Sequence, residues 1–323
     1  MAWALKPQVS GRFLLAQALN FESSSLQQRR MARWALLPLQ LSAQMPSPSD
    51  PSPETPSENQ QTRRHGHSSL FIGSTEKAFH VLDAFNGTRG HLTIADIARA
   101  SNLDRSATQR LVYTLEKIGY LRRIPDTRQY GLTSKVLQLS YNYLRANALV
   151  DKASPYLLDI SRTLGETTNL QELDDTEIVF VARFPGKHLV NVDIAVGSRL
   201  PAFCTASGTC ILARMEPAQR VEVLQRSRLT AITPHTETRM EELLARIERA
   251  AERGYAMITN ETVMGDISIA SAITDHRGVA VAAVNISVPT TRWTTEQVEA
   301  QLAQHVQVAA TSISKAKFAG YGE

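Results

Sequence analysis

The chain has 323 residues, of which 43% are hydrophobic and 20% charged, with a formal net charge of +4. That length suits two domains, and no stretch approaches the roughly eighteen consecutive apolar residues of a membrane span. Its two cysteines, Cys204 and Cys210, make neither a disulfide framework nor a zinc-finger ligand set, so a reducing interior with no metal and no cofactor is expected.

Charge is spread unevenly. Ser74 to Lys135 holds ten basic residues (Lys77, Arg89, Arg99, Arg105, Arg110, Lys117, Arg122, Arg123, Arg128, Lys135) against six acids (Glu76, Asp83, Asp96, Asp104, Glu116, Asp126). Beyond Lys135 there are eighteen basic and twenty-one acidic residues. The first segment, basic by four, suits the approach to a polyanion; the remainder, acidic by three, does not.

Residues 1–67 read as an extension without a fold. "PSPSDPSPETPSENQ" is too poor in apolar residues to offset chain ordering. The first forty residues carry five basic residues and one acid, superficially like a transit peptide. An unfolded tail, or an early start with Met31 and Met45 as later ones, is the preferred reading.

In "STEKAFHVLDAF", Ala78, Val81, Leu82 and Phe85 recur at helical spacing behind a Ser74 or Thr75 cap, and "NGTRG" breaks the helix. Thr93 and Asp96 form a capping-box pattern for a short helix with Ile94, Ile97 and Ala98 on its apolar face. Asp104 caps a third helix, on which Ala107, Leu111, Leu115 and Ile118 form one stripe. Arg105, Ser106, Gln109, Tyr113 and Glu116 then point outward, with Arg110 at the edge, and Gly119 suits the left-handed position behind the helix. "YLRRI", a Pro-Asp-Thr-Arg turn and "QYGL" make a hairpin.

Three short helices and an Arg-bearing hairpin are the parts of a winged helix-turn-helix. Its third helix enters the major groove, where Arg and Gln are suited to guanine and adenine edges. Arg105 and Gln109 are thus candidate base readers, and Ser106, Arg110 and Tyr113 can reach bases or phosphates. Arg122, Arg123 and Arg128 on the hairpin are candidate phosphate contacts. The competing reading is a merely solvated helix face.

Further along, a helix is expected from Thr133 through "TSKVLQLSYNYLRANALV", and another from Ser154-Pro155 to Gly165. Strands are expected at "TTNLQEL", "EIVFVARF", "LVNVDIAV", "YAMIT", "ISIASAIT" and "VAVAAVNISV". Helices are expected from Ala206 to Met215 behind Thr205, over "EELLARIERAAERG" up to Gly254, and behind a Thr294–Gln297 cap. The fold class is α+β, with an antiparallel sheet and peripheral helices.

With these residues in view, "TIADIARASNLDRSATQRLVYTLEKIGY" resembles the helix-turn-helix of the IclR family of bacterial transcriptional regulators. Arg105 and Ser106 stand at the family's Lys-Ser pair, Arg110 at its arginine and Gly119-Tyr120 at its closing pair, while Ala107 replaces a threonine. The resemblance spans about Ile72 to Phe318. "YGLTSKVLQLSYNYL" and "VGSRLPAFCTASGTCILA" are most similar to the subgroup controlling protocatechuate and 4-hydroxybenzoate catabolism. It implies a winged helix-turn-helix domain (68–132), a linker helix (133–152) and a GAF-like effector-binding domain (153–323), assembled as a dimer or dimer of dimers.

On the strand Val279 to Val288, alternation puts Val281, Ala283, Asn285 and Ser287 on one face and Val284, Ile286 and Val288 on the other. Small first-turn residues leave the amides at Ala206 and Ser207 open to an anion. The resemblance implies effector-binding positions at Ala206, Ser207, Asp266, Ser268, Asn285 and Ser287; close packing is the competing explanation for Ser207 and Ser268. An acid at Asp266 disfavours a ligand carboxylate beside it, and Glu261 is expected to be structural.

The expected function is a cytoplasmic, ligand-responsive DNA-binding regulator of an aromatic or small-organic-acid catabolic operon. Its expected partners are a double-stranded operator, a small organic acid such as an aromatic carboxylate, and a second copy of itself, with no membrane. One alternative is a DNA-binding protein whose C-terminal domain serves only assembly. Catalysis by Cys204 or Cys210 with His188, His235 or His276 lacks motif support, so no enzyme is expected.

Overall fold

The structure, a computed structural model, describes residues 70–87, 90–187 and 194–315. The expected N-terminal extension, Arg89, His188 and most of the strand expected over "LVNVDIAV" lie outside the described residues. Ile194 to Val196, the part of that segment that is described, are not in a strand.

The first group of elements comprises α1 (Gly73–Asp83), β1 (Leu92–Thr93), α2 (Ile94–Ser101), α3 (Arg105–Lys117), β2 (Leu121–Arg123) and β3 (Gln129–Leu132). They enclose a core of Val81, Phe85, Ile97, Val112, Leu115 and Leu121. The two-residue β1, absent from the sequence reading, pairs antiparallel with β3 and makes the wing three-stranded. Helix α1 has no side-chain cap: Ile72 precedes it, and Ser74 and Thr75 lie inside its first turn, where the Thr75 amide bonds the Ile72 carbonyl. The Thr93–Asp96 capping box forms as expected, and Asp104 accepts the Ala107 amide at 2.8 Å.

The core stripe of α3 is rotated from the expected one. Thr108, Val112 and Leu115 are buried, Ala107 and Leu111 flank them, and Ile118 is 49% exposed. Thr108 faces inward because its hydroxyl donates to the Asp104 carbonyl at 2.8 Å, leaving no polar group unpaired. Ile118 falls just past the helix, where the chain turns through Gly119 at φ +84°. The same rotation leaves Glu116 half-buried rather than fully outward.

A 3₁₀ turn behind the expected Thr133 cap leads into α4 (Leu137–Ala146), which stops at Asn147. A new helix, α5 (Ala148–Leu164), begins there, so neither the continuous helix through Val150 nor the start at Ser154-Pro155 is correct. Asn147 makes the break: its side-chain oxygen accepts the Leu149 and Val150 amides at 3.0 and 3.3 Å, and its side-chain nitrogen donates to Glu172 at 2.7 Å. Pro155 sits within α5 on an exposed side, where water can satisfy the carbonyl that loses its helical donor.

The larger sheet uses β4 (Thr167–Asp174), β5 (Glu177–Phe184), β6 (Arg199–Pro201), β7 (Ala256–Thr259), β8 (Asp266–Thr274) and β9 (Ala280–Pro289). Its order is β6-β5-β4-β9-β8-β7, antiparallel throughout. α5 and the last helix α9 (Thr295–Lys315) cover one face around Leu157, Val284, Ile286, Leu302 and Val306. On the other face lie α6 (Ala206–Leu212) and α8 (Met240–Arg253), the latter closed by Gly254 as expected. α6 ends three residues before the expected Met215, and α7 (Pro217–Arg226), with proline at its start, is an addition to the sequence reading.

Candidate functional site

Two arrangements stand out. The first is the outer face of α3, on which Arg105, Ser106, Gln109, Arg110 and Tyr113 are all exposed. Asp104 ties down the helix start, so the first-turn residues project from a fixed end. Tyr113, 60% exposed, carries the Lys117 ammonium 5.3 Å from its ring centroid. Lys117 was not singled out from sequence, although its i+4 spacing from Tyr113 was legible.

Arg122, Arg123 and Arg128 are exposed on the wing. Arg122 pairs with Gly131 and Arg123 with Tyr130. Successive strand residues face opposite sides, so these two arginines cannot line the same side of the wing.

The second arrangement is a recess between the larger sheet and the α6 side. All six residues expected there, Ala206, Ser207, Asp266, Ser268, Asn285 and Ser287, line it. Cross-strand register explains why: Ser268 lies opposite Ser287, and Asn285 lies opposite both Ala270 and Asn169. Each pair therefore shares the recess face.

The polar side chains bond in one direction across four strands. Arg183 Nη1 donates to Asn169 Oδ1 at 2.9 Å, and Asn169 Nδ2 to Asn285 Oδ1 at 2.5 Å. Asn285 Nδ2 then donates to Ser268 Oγ, and one row away Ser287 Oγ donates to Asp266 Oδ1 at 2.5 Å. At the opposite end, the Ser207 hydroxyl donates to Gln171 Oε1. The Thr205 hydroxyl occupies the Gly208 amide at 3.1 Å, while the Ala206 and Ser207 amides precede the first intrahelical bond of α6.

Burial pushes the Asp266 carboxyl up to about 6, against the opposing effects of the Ser287 hydrogen bond and the Arg183 charge. The same burial lowers the Arg183 pKa, opposed by Asp266. Glu261 lines the recess and pairs with Arg246 at 2.5 Å, both side chains being largely buried; burial raises its pKa and Arg246 opposes this. Arg246 also donates to the Phe203 carbonyl at 2.5 Å, tying α8 to the turn before α6. Burial pushes both thiols, Cys204 and Cys210, up to about 12.

An exposed helix face on a winged helix-turn-helix, joined to a recessed sheet, is the layout that family models match over two stretches. The IclR helix-turn-helix domain matches residues 74–125, and the bacterial transcriptional regulator IclR C-terminal domain matches residues 141–315. The chain belongs to the IclR family of bacterial transcriptional regulators. This IclR-family chain is 37% identical over 230 residues to the Pca regulon regulatory protein of Pseudomonas putida, covering 71% of this chain and 78% of that one. It is similar to the crystal structure of the Thermotoga maritima IclR, with 29% identity, TM-score 0.58, and coverage of 76% and 98%. It is also similar to an IclR homologue from Microbacterium hydrocarbonoxydans solved with 4-hydroxybenzoate, with 27% identity, TM-score 0.62, and coverage of 75% and 97%.

Sequence reasoning missed Asn169, Gln171 and Arg183 of the IclR-family recess. Asn169 and Gln171 left a signal, since they alternate with Thr168 and Leu170 on a strand paired on both sides. Among the described residues, no helix is long and apolar enough to cross a membrane, and no group of His, Cys, Asp and Glu could hold a metal ion.

Proposed function

We propose that this regulator binds operator DNA through α3 and the wing, and that a small organic acid, an aromatic carboxylate, occupies the recess and alters that binding. Arg105 and Gln109 read base edges, with Ser106, Arg110 and Tyr113 beside them, and Arg122, Arg123 and Arg128 supply phosphate contacts from different sides of the wing. Asn147 ends the linker that begins at residue 133, dividing a DNA-binding domain (68–132) from the effector-binding domain. The observation carrying the effector reading is the strip from Arg183 to Ser268. Polar side chains this numerous on the inner face of a sheet hold one another in fixed positions, a preorganised set of groups for a polar ligand.

Arg183 is the one cation lining the recess among the described residues, and with the Ala206 and Ser207 amides it is suited to a carboxylate. The 4-hydroxybenzoate held by the Microbacterium homologue supports an aromatic acid. A second copy of the chain covers the exposed Leu137, Leu139 and Tyr141 of α4, as a helix-turn-helix dimer reading paired half-sites requires. The chain acts in the cytoplasm and performs no catalysis; thiols held at about 12 are protonated at neutral pH and poor nucleophiles.

Fluorescence anisotropy with DNA from upstream of its own gene, combined with thermal shift against benzoate, hydroxybenzoates and short aliphatic acids, tests the proposal. An acid at one hundred times its Kd should add about 2.7 kcal/mol of stability and change DNA affinity. If no acid raises the melting temperature, the C-terminal domain serves assembly alone.

A further inference from the structure

We infer that Asp266 determines effector specificity, and that the effector is an acid carrying a hydroxyl group, which it donates to the Asp266 carboxylate. This rests on the effector-pocket reading above and goes beyond it by naming a second functional group on the ligand and the residue that reads it.

Asp266 opens β8 at one end of the recess and is half-buried there. An ionised carboxylate can accept about four hydrogen bonds. Among the described residues, the one side chain that donates to it is Ser287, through Oδ1. The charges facing it have other commitments. Arg183, reaching across from β5, donates to Asn169. Glu261, on the loop after β7, is neutralised by Arg246 of α8. Ser268, on Asp266's own strand, is uncharged and is bonded to Asn285. The carboxylate is therefore withdrawn from water without being fully compensated, which is why burial is the first cause of its rise to about 6.

Two ligand orientations meet this carboxylate differently. A ligand carboxylate beside it is repelled and must bring in a proton, so its binding strengthens as pH falls. A ligand hydroxyl supplies the missing donor, so its binding needs Asp266 ionised and weakens as pH falls. The second orientation leaves the ligand's own acid group to the Arg183 and Asn169 side. A ligand without a hydroxyl shuts Asp266 away from water and gives nothing back, the circumstance in which a polar site rejects an analogue most strongly.

The test is isothermal titration of the full-length protein with benzoate, 3-hydroxybenzoate, 4-hydroxybenzoate and 3,4-dihydroxybenzoate, for the parent and Asp266→Ala. At neutral pH at least one hydroxylated acid should bind the parent roughly 10- to 100-fold more tightly than benzoate, and in Asp266→Ala the ratio of the two affinities should fall towards one. The parent's preference should also fall as pH drops through about 6, a measurement that needs no variant should Asp266→Ala fail to fold. Equal binding of benzoate and the hydroxybenzoates, or hydroxybenzoate affinity that climbs as pH falls through that range, overturns the assignment. If none of the four binds, the aromatic-acid reading itself fails and takes this one with it, a result distinct from binding without hydroxyl preference.

Discussion

Gly208→Ala sets packing against helix propensity, with opposite signs. Gly208 is the third residue of α6, all seven residues of which are buried. A Cβ there would lie 2.1 Å from the Ala202 carbonyl oxygen, 2.5 Å from its Cα and 2.6 Å from its carbonyl carbon. These are backbone atoms of a turn that cannot swing aside. The Ala202 amide bonds Thr176 at 2.9 Å, and the Ala202 carbonyl already accepts from the Thr205 amide and hydroxyl at 3.3 and 3.1 Å. α6 would have to retreat by about 1 Å, loosening its contacts and the Ser207–Gln171 hydrogen bond, worth about 1 kcal/mol. Overpacking costs about 1–3 kcal/mol, and contact with backbone belongs at the upper end. Propensity alone would make alanine about 1 kcal/mol better than glycine. The net expectation is a loss of about 2–3 kcal/mol, or roughly 5–10 °C in melting temperature for a domain of this size. Gly73→Ala, where nothing lies within 4 Å, is the control and should be neutral or slightly stabilising. Differential scanning calorimetry reads both; a Gly208→Ala variant melting at or above the parent refutes the packing reasoning.

On DNA, Arg105→Ala and Gln109→Ala should each cost about 1–3 kcal/mol on the preferred site and relax its sequence preference, whereas Arg122→Ala or Arg128→Ala should weaken all DNA alike and flatten the salt dependence by about one unit of slope. Anisotropy across a salt series separates the two classes, and α3 variants that keep full selectivity would overturn the reading face. Breaking the Arg246–Glu261 pair with Arg246→Met should destabilise the effector domain by about 3–5 kcal/mol, because Glu261 is left charged and buried; a urea midpoint near the parent's would refute this. Because the Asp266 pKa rises from 3.8 to about 6 on folding, the folded state holds that proton more tightly than the unfolded one. The stability this gives is complete below the unfolded value and is lost as pH rises through the folded one. Asp266→Asn should therefore melt above the ligand-free parent at neutral pH, by at most about 3 kcal/mol and less after solvent screening, with the advantage shrinking steadily between about pH 6 and 4. A pH-independent difference between the two would contradict it.

What the sequence discloses here is what is settled within about four residues. The Thr93–Asp96 box, Asp104, the Thr294–Gln297 cap and the helix stops at Gly119, Gly165 and Gly254 each depend on neighbours in the chain, and each is where its local pattern puts it. The exposed polar face of α3 is legible for the same reason, since a single helix carries it. Even there, the inward stripe was misplaced because Thr108 hides its polarity by bonding its own helix, and a hydropathy pattern cannot register that.

The breaks in the sequence reading fall where a residue answers to a distant partner. Asn147 interrupts the expected linker helix because it serves Glu172, 25 residues on, as well as the amides behind it. That bond leaves the end of α4 attached to β4 at the residue next to Gln171, which lines the recess. Arg183 looks like any strand-end arginine until β4 aligns Asn169 beside it. Asn285 and Ser287 were visible because one strand's alternation exposes them, but their value lies in what stands opposite on β4 and β8, which only the register supplies. A pocket assembled from several elements is therefore readable in sequence strand by strand, while its electrostatic balance, in which Arg183 moderates a half-buried Asp266, belongs to the assembled sheet.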